Sequence, residues 1–226
     1  MAESIKKGVI VEFDFAAMDG AELLFSVTKR FLSALDKIPF DERIEAQHLA
    51  GGNYQGALAE YFSIVKTKKT AAKAAKDLAA AFEAALNEAV PKAVTTSFKN
   101  FVSTIASKGV KVVIATRADI ETVQPAFEGL LGEDVVLYHE TASTYGSVKW
   151  DAWRRACAMN KLRNFSTLAV TGSGHGVKSA LVAGMGSVAV LNPHVAYQDF
   201  GGADVVVDAF DAKLVDDVRR MLHLDE

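Results

Sequence analysis

Hydrophobic positions along the chain fall into three regimes. Residues 8–15, GVIVEFDF, are a short apolar run interrupted only by acidic side chains, and predict a buried strand. Residues 20–90 read as helical throughout. Leu24, Val27, Phe31 and Leu35 recur at helical spacing in a segment at 21–36. A second short helical segment follows Asp41, and a third ends near Val65. The stretch KTKKTAAKAAKDLAAAFEAALNEAV is rich in alanine, the strongest helix former, and Pro91 is expected to end it. Between these segments AGGNYQG (50–56) reads as a turn. From residue 95 onward helices at 96–108, 119–131, 148–162, 175–185 and 212–222 alternate with apolar strands at 110–116, 134–140, 166–172, 187–192 and 204–209.

Apolar strands separated by helices imply a parallel sheet covered on both faces. The predicted fold is therefore α/β: a doubly wound (Rossmann-like) parallel sheet core with an inserted all-helical cap. The core is expected over 1–18 and 92–226, and the cap over 19–91.

Composition narrows the function classes. Half of the 226 residues are hydrophobic, enough for a filled core. The net charge of −3 argues against a nucleic-acid partner, which would favour a basic face. No apolar run reaches the length of a membrane span, and the basic-then-apolar start runs into Glu12 and Asp14, so it reads as a strand and not a signal peptide. With one cysteine, Cys157, no internal disulfide forms, and a cytoplasmic setting is the simplest expectation.

In doubly wound sheets ligands bind outside the carboxyl ends of the strands. The ends that matter here carry Glu12, Asp14 and Asp19, then Thr116 and Arg117, then Lys149 at a helix start, then TGSGHG at 171–176. In their order and placement these motifs resemble the haloacid dehalogenase superfamily, and within it the β-phosphoglucomutase and phosphoglycolate phosphatase group. EFDFAAMD (12–19) stands at the first motif, VVIAT ending at Thr116 at the second, Lys149 in SVKWDAWRRA at the third, and AVTGSGHGVKSALVAGM at the fourth. An all-helical insertion straight after the first motif completes the resemblance.

The resemblance implies roles. The first acidic position is the nucleophile that becomes an aspartyl-phosphate, and here it is Glu12. Glutamate is one methylene longer than aspartate, and a displacement of about 1 Å at a reacting centre lowers rates on the order of a hundredfold. Asp14 stands at the general acid and base, and Phe15 replaces a glycine. Thr116 and Lys149 stand at the phosphate binders, with Arg117 beside them. The acidic pair that holds Mg²⁺ falls on Thr171 and Gly172, neither of which has a carboxylate. No metal is expected, or Mg²⁺ on Glu12 and Asp14 if the protein is active.

Gly172, Ser173 and Gly174 precede a helix and are candidate anion binders through their amides, with a bare turn as the equal alternative. Asn53, Tyr54 and Gln55 stand where the relatives place a substrate-reading loop. His48, His175 and His194 are scattered without ligand spacing, so a zinc site is not expected. Three readings stay open: a non-catalytic or very weak phosphatase homologue, a pseudoenzyme that binds a phosphorylated or anionic ligand; an active Mg²⁺-dependent phosphomonoester hydrolase using Glu12 and Asp14; and a module that works through a protein partner or as a homodimer.

Overall fold

The computed structural model describes residues 6–35, 39–44, 54–140 and 150–225. Its centre is a six-stranded, wholly parallel sheet: β1 (Gly8–Glu12), β2 (Lys111–Thr116), β3 (Val135–His139), β4 (Thr167–Thr171), β5 (Gly186–Val190) and β6 (Val205–Val207). The spatial order is β3-β2-β1-β4-β5-β6. The chain winds outward from β1 to β3, then returns to lay β4 on the other side of β1. That reversal is the switch point where such sheets open a crevice at their carboxyl ends. Glu12, Thr116 and Thr171, the last residues of β1, β2 and β4, converge there.

Alternation along the strands sorts side chains onto two faces. Val9, Val11, Val112 and Ile114 pack in one apolar cluster, whereas Ile10, Val113, Ala115 and Ala169 pack in another. The first face is covered by α6 (Thr96–Ala106) and α10 (Ala212–Met221), through Phe98, Phe101, Leu214 and Val218. The second is covered by α8 (Trp150–Met159) and α9 (Gly174–Ala183), tied by a hydrogen bond from Trp153 Nε1 to Ser179 Oγ at 3.0 Å.

The first strand is shorter than expected. It ends at Glu12, and Phe13–Ala16 form a single helical turn, α1. Strand alternation would send Phe13 and Phe15 together to one face. In the turn all four residues are buried. Phe13 packs edge-on against Phe98 and Phe127, at 4.9 and 5.2 Å between centroids, while Phe15 reaches Phe82 at 6.4 Å. Two glycines make room for the turn: a Cβ on Gly20 would strike the Asp14 carbonyl oxygen, and one on Gly172 the Phe15 carbonyl oxygen.

The predicted insertion is present as α2 (Gly20–Ala34), α3 (Glu42–Ile44), α4 (Tyr54–Ile64) and α5 (Ala71–Ala93) between β1 and α6. Helix α4 begins at Tyr54, so the turn expected over 50–56 gives way to helix within that range, and residues 50–53 lie outside the described residues. Pro91 does not end α5, which continues to Ala93. A proline in the last turn removes only one ladder bond. The row Ala74, Leu78, Phe82, Leu86 and Val90 is buried along the whole length and holds that turn down. The helix expected at 119–131 breaks instead. Ile120–Val123 form α7, capped by Asp119, and Gln124–Phe127 tighten into a 3₁₀ turn because Pro125 has no N–H to continue the α ladder.

Candidate functional site

The end of β1 places Glu12 beneath the crevice, and α1 turns Asp14 back beside it. Both are buried, at 3% and 1% exposure. A carboxylate so buried is unfavourable unless something pairs it, and each is paired. Thr171 Oγ1 donates to Glu12 Oε2 at 2.5 Å. Thr116 Oγ1 donates to Asp14 Oδ1 at 2.6 Å, and the Arg117 backbone N–H donates to Asp14 Oδ2 at 2.8 Å.

The Arg117 side chain closes the cluster. Its Nη2 lies 3.4 Å from Glu12 Oε1 and its Nη1 lies 3.6 Å from Asp14 Oδ2. The guanidinium carbon stacks 5.1 Å from the Phe15 ring centroid. The side chain is only 12% exposed, and its Nε and Nη1 make no hydrogen bond. Around the carboxylates, Ile10, Ala115, Glu140 and Trp153 line a residual cavity of about 10 Å³, space for roughly one water and not for a phosphate.

Burial dominates the electrostatics. It raises the Glu12 carboxyl to a pKa of about 7; Arg117 and the Thr171 hydrogen bond oppose the rise, and neighbouring Asp14 adds to it. Burial likewise pushes the Asp14 carboxyl up, against Arg117, the Thr116 hydroxyl and the Arg117 amide.

Two residues assigned to phosphate from the sequence engage the carboxylates in this structure. Arg117, expected to bind phosphate, is the counter-ion of both carboxylates. Thr116, expected to donate to phosphate, donates to Asp14 and accepts from the Ala118 N–H at 3.0 Å. Thr171 was marked only by what it lacks, yet its hydroxyl holds Glu12. A hydroxyl at a strand end opposite a carboxylate was the available signal. The donor set does not fit Mg²⁺ as arranged. Both carboxylates already accept from protein donors, and a guanidinium faces them where a divalent cation needs several free oxygens.

The glycine loop is also committed inward. Ser173 caps α9, accepting from the Gly176 N–H at 3.0 Å, while the Gly174 N–H donates to Gln198 Oε1 at 2.8 Å. The Ser173 N–H points to Thr171 Oγ1 at 3.4 Å. Of the amides assigned to an anion, those of Ser173 and Gly174 thus have acceptors inside the protein. Lys149 and Asn53 lie outside the described residues, Tyr54 is the first residue of α4, and Gln55 is exposed on its first turn.

One grouping was not legible from spacing. His194 Nδ1 lies 3.7 Å from Asp19 Oδ2, and with Glu22 these side chains bring three ligand atoms within 4.8 Å of one another. Asp19 also caps α2, accepting from the Glu22 N–H at 2.9 Å.

No family model matches the sequence, and no curated protein matches it either. Solved structures do match in fold. A β-phosphoglucomutase from Clostridium difficile superposes with a TM-score of 0.69 at 11% identity, covering 97% of this chain and 98% of that one. A HAD family hydrolase from Deinococcus radiodurans with bound phosphate and sodium gives 0.60 at 16% identity, covering 98% of each chain. CbbY from Rhodobacter sphaeroides in complex with phosphate gives 0.62 at 16% identity, covering 91% of this chain and 95% of that one. The likeness to these structures is one of fold, over nearly the full length of each chain. Among the described residues no helix is long and apolar enough to cross a membrane.

Proposed function

We propose that this chain, built on the haloacid dehalogenase fold, is a non-hydrolytic protein that binds an anionic ligand, its phosphatase centre turned into a closed and internally neutralised ion cluster. The observation that carries the reading is the Arg117 guanidinium set against both Glu12 and Asp14, in a cavity of about 10 Å³. Phosphoryl transfer depends on positioning and on cationic stabilisation of the transferring oxygens. Here the cation beside the carboxylates is spent on them, and the carboxylate at the nucleophile's position is a glutamate held by Thr171.

A second reading has one observation in its favour. The Nε and Nη1 of Arg117 are buried without acceptors. A phosphate oxygen would satisfy them if the guanidinium turned away from the carboxylates, leaving Glu12 and Asp14 to a metal-dependent phosphomonoesterase.

Hydrolysis of a panel of sugar phosphates and nucleotides, with and without Mg²⁺, separates the two. We expect no turnover above the rate of a Glu12→Gln variant, and no rise in Tm on adding millimolar Mg²⁺. Mg²⁺-dependent turnover that Glu12→Gln abolishes, together with a Mg²⁺-induced rise in Tm, establishes the second reading and removes the first.

A further inference from the structure

A cavity far larger than the one at the carboxylates lies elsewhere. It lies in the helical insertion, between α2 and α5, and measures about 590 Å³. That volume falls within the roughly 300–1,000 Å³ range of small-molecule sites.

Its origin is in the sequence of α5. The row Leu78, Phe82, Leu86 and Val90 faces the core. The neighbouring face of the same helix carries Ala81, Ala85, Ala89 and Ala93, which line the cavity opposite Leu23 and Val27 of α2. Larger side chains would fill the angle between two packed helices, whereas alanine, which ends at Cβ, leaves a trough. From Ala81 to Ala93 the trough follows α5 for roughly 18 Å at 1.5 Å per residue, so it is long rather than round. Met18 and Ala93, at the two chain crossings between the insertion and the sheet, place one end at the neck.

The charges on the walls are not balanced. Arg30 and Lys92 line the trough with one carboxylate, Glu88. Among the described residues none of the three makes an ion pair or a side-chain hydrogen bond. The chain as a whole is negative, at −3, whereas the lining of this cleft carries two cations to one anion. An apolar floor with cations at its walls complements an apolar body with a negative head.

We propose that the trough between α2 and α5 is a binding site for an elongated amphipathic anion, a chain-like carboxylate whose apolar tail lies on the alanine floor and whose head meets Arg30 and Lys92. The site is separate from the Glu12–Asp14–Arg117 cluster, and it supplies the anionic ligand of the non-hydrolytic reading with a location and a chemical class.

The test is calorimetric titration of the full chain with octanoate, octan-1-ol and octyltrimethylammonium. Octanoate is expected to bind saturably at one site, and octyltrimethylammonium at least tenfold more weakly. Arg30→Gln with Lys92→Gln should weaken octanoate about tenfold and leave octan-1-ol unchanged, as expected for two exposed charges acting together. Ala85→Leu with Ala89→Leu fills the floor while keeping a helix former at both positions, and should abolish binding of every probe with the thermal unfolding curve preserved. The proposal is overturned by absence of saturable octanoate binding, by equal affinity for the cationic probe, or by unchanged binding in the leucine-filled variant. Octanoate has no phosphate ester, so failure here leaves the hydrolysis outcome standing, and the reverse also holds.

Discussion

Glu12 is one methylene longer than the aspartate its position resembles, and the extra length is used to reach a hydroxyl on β4 and a guanidinium after β2. Its electrostatics give a prediction with a definite sign. The carboxyl has an ordinary pKa near 4.5 and is held at about 7 in the folded chain, chiefly by burial. The folded state therefore binds this proton more tightly than the unfolded state. Its contribution to stability is fully present below about pH 4.5 and is lost as pH rises through about 7. Asp14 is shifted in the same direction by the same cause. The shift at Glu12 corresponds to roughly 3 kcal/mol between the two ends of that window. A neutral glutamine keeps an acceptor for Thr171 and cannot ionise. We expect the urea midpoint of Glu12→Gln to match the native protein at about pH 4 and to exceed it at about pH 8. A native midpoint that does not fall between pH 4.5 and 7.5 rules out burial of an ionisable Glu12 as the governing effect.

At the scale of elements, the four-residue turn α1 builds the site, because it moves Asp14 off the strand and under Arg117. Its path is fixed by the close approach of Gly172, at the end of β4, to the Phe15 carbonyl. Gly172→Ala should therefore be destabilising by about 2–3 kcal/mol, because the added Cβ meets the Phe15–Ala16 backbone, which cannot give way as a side chain would. It should also loosen Arg117, visible as faster hydrogen exchange of the Arg117 amide that Asp14 holds. A substitution neutral in both measurements would show that the turn is not clamped there. This turn marks the limit of what the sequence made legible. The strands, the helical insertion and the convergence of Glu12, Thr116 and Thr171 follow from periodicity and strand order. The turn does not, since Phe13 and Phe15 fit strand alternation equally well and only their different partners, Phe98 and Phe82, distinguish the two. The role of Arg117 was hidden for a related reason. An arginine after a strand end fits a phosphate or a carboxylate pair alike, and the choice depends on a side-chain direction set by stacking on Phe15. Pro91 and Pro125 show the same dependence on context: the first sits in the last turn of a 23-residue helix, the second just after the single turn of α7, and only the second breaks its helix.

For the whole molecule, the decisive feature is that, among the described residues, the insertion has no apolar core separate from that of the sheet. A single cluster runs from Val9 and Val11 in the sheet, through Phe13 and Phe15, to Phe82, Leu86 and Leu78 of α5, and on to Leu58, Tyr61 and Phe62 of α4. Phe82 is 1% exposed and meets Phe15, the residue that also carries the Arg117 stack. Sheet, site and insertion therefore share one set of contacts, and separating them exposes apolar surface on both sides. We expect one cooperative thermal transition, with the calorimetric enthalpy equal to the van't Hoff enthalpy. Phe82→Ala removes the ring at the junction and should lower stability by about 3–5 kcal/mol. The form of that loss is as informative as its size. If insertion and sheet are one unit, the variant melts at a lower temperature in a single step, and near-ultraviolet dichroism and helix content fall together. A second transition, in which α-helical signal is lost while the sheet core stays folded, would instead make the insertion an independent cap able to open over the Glu12–Asp14 cluster.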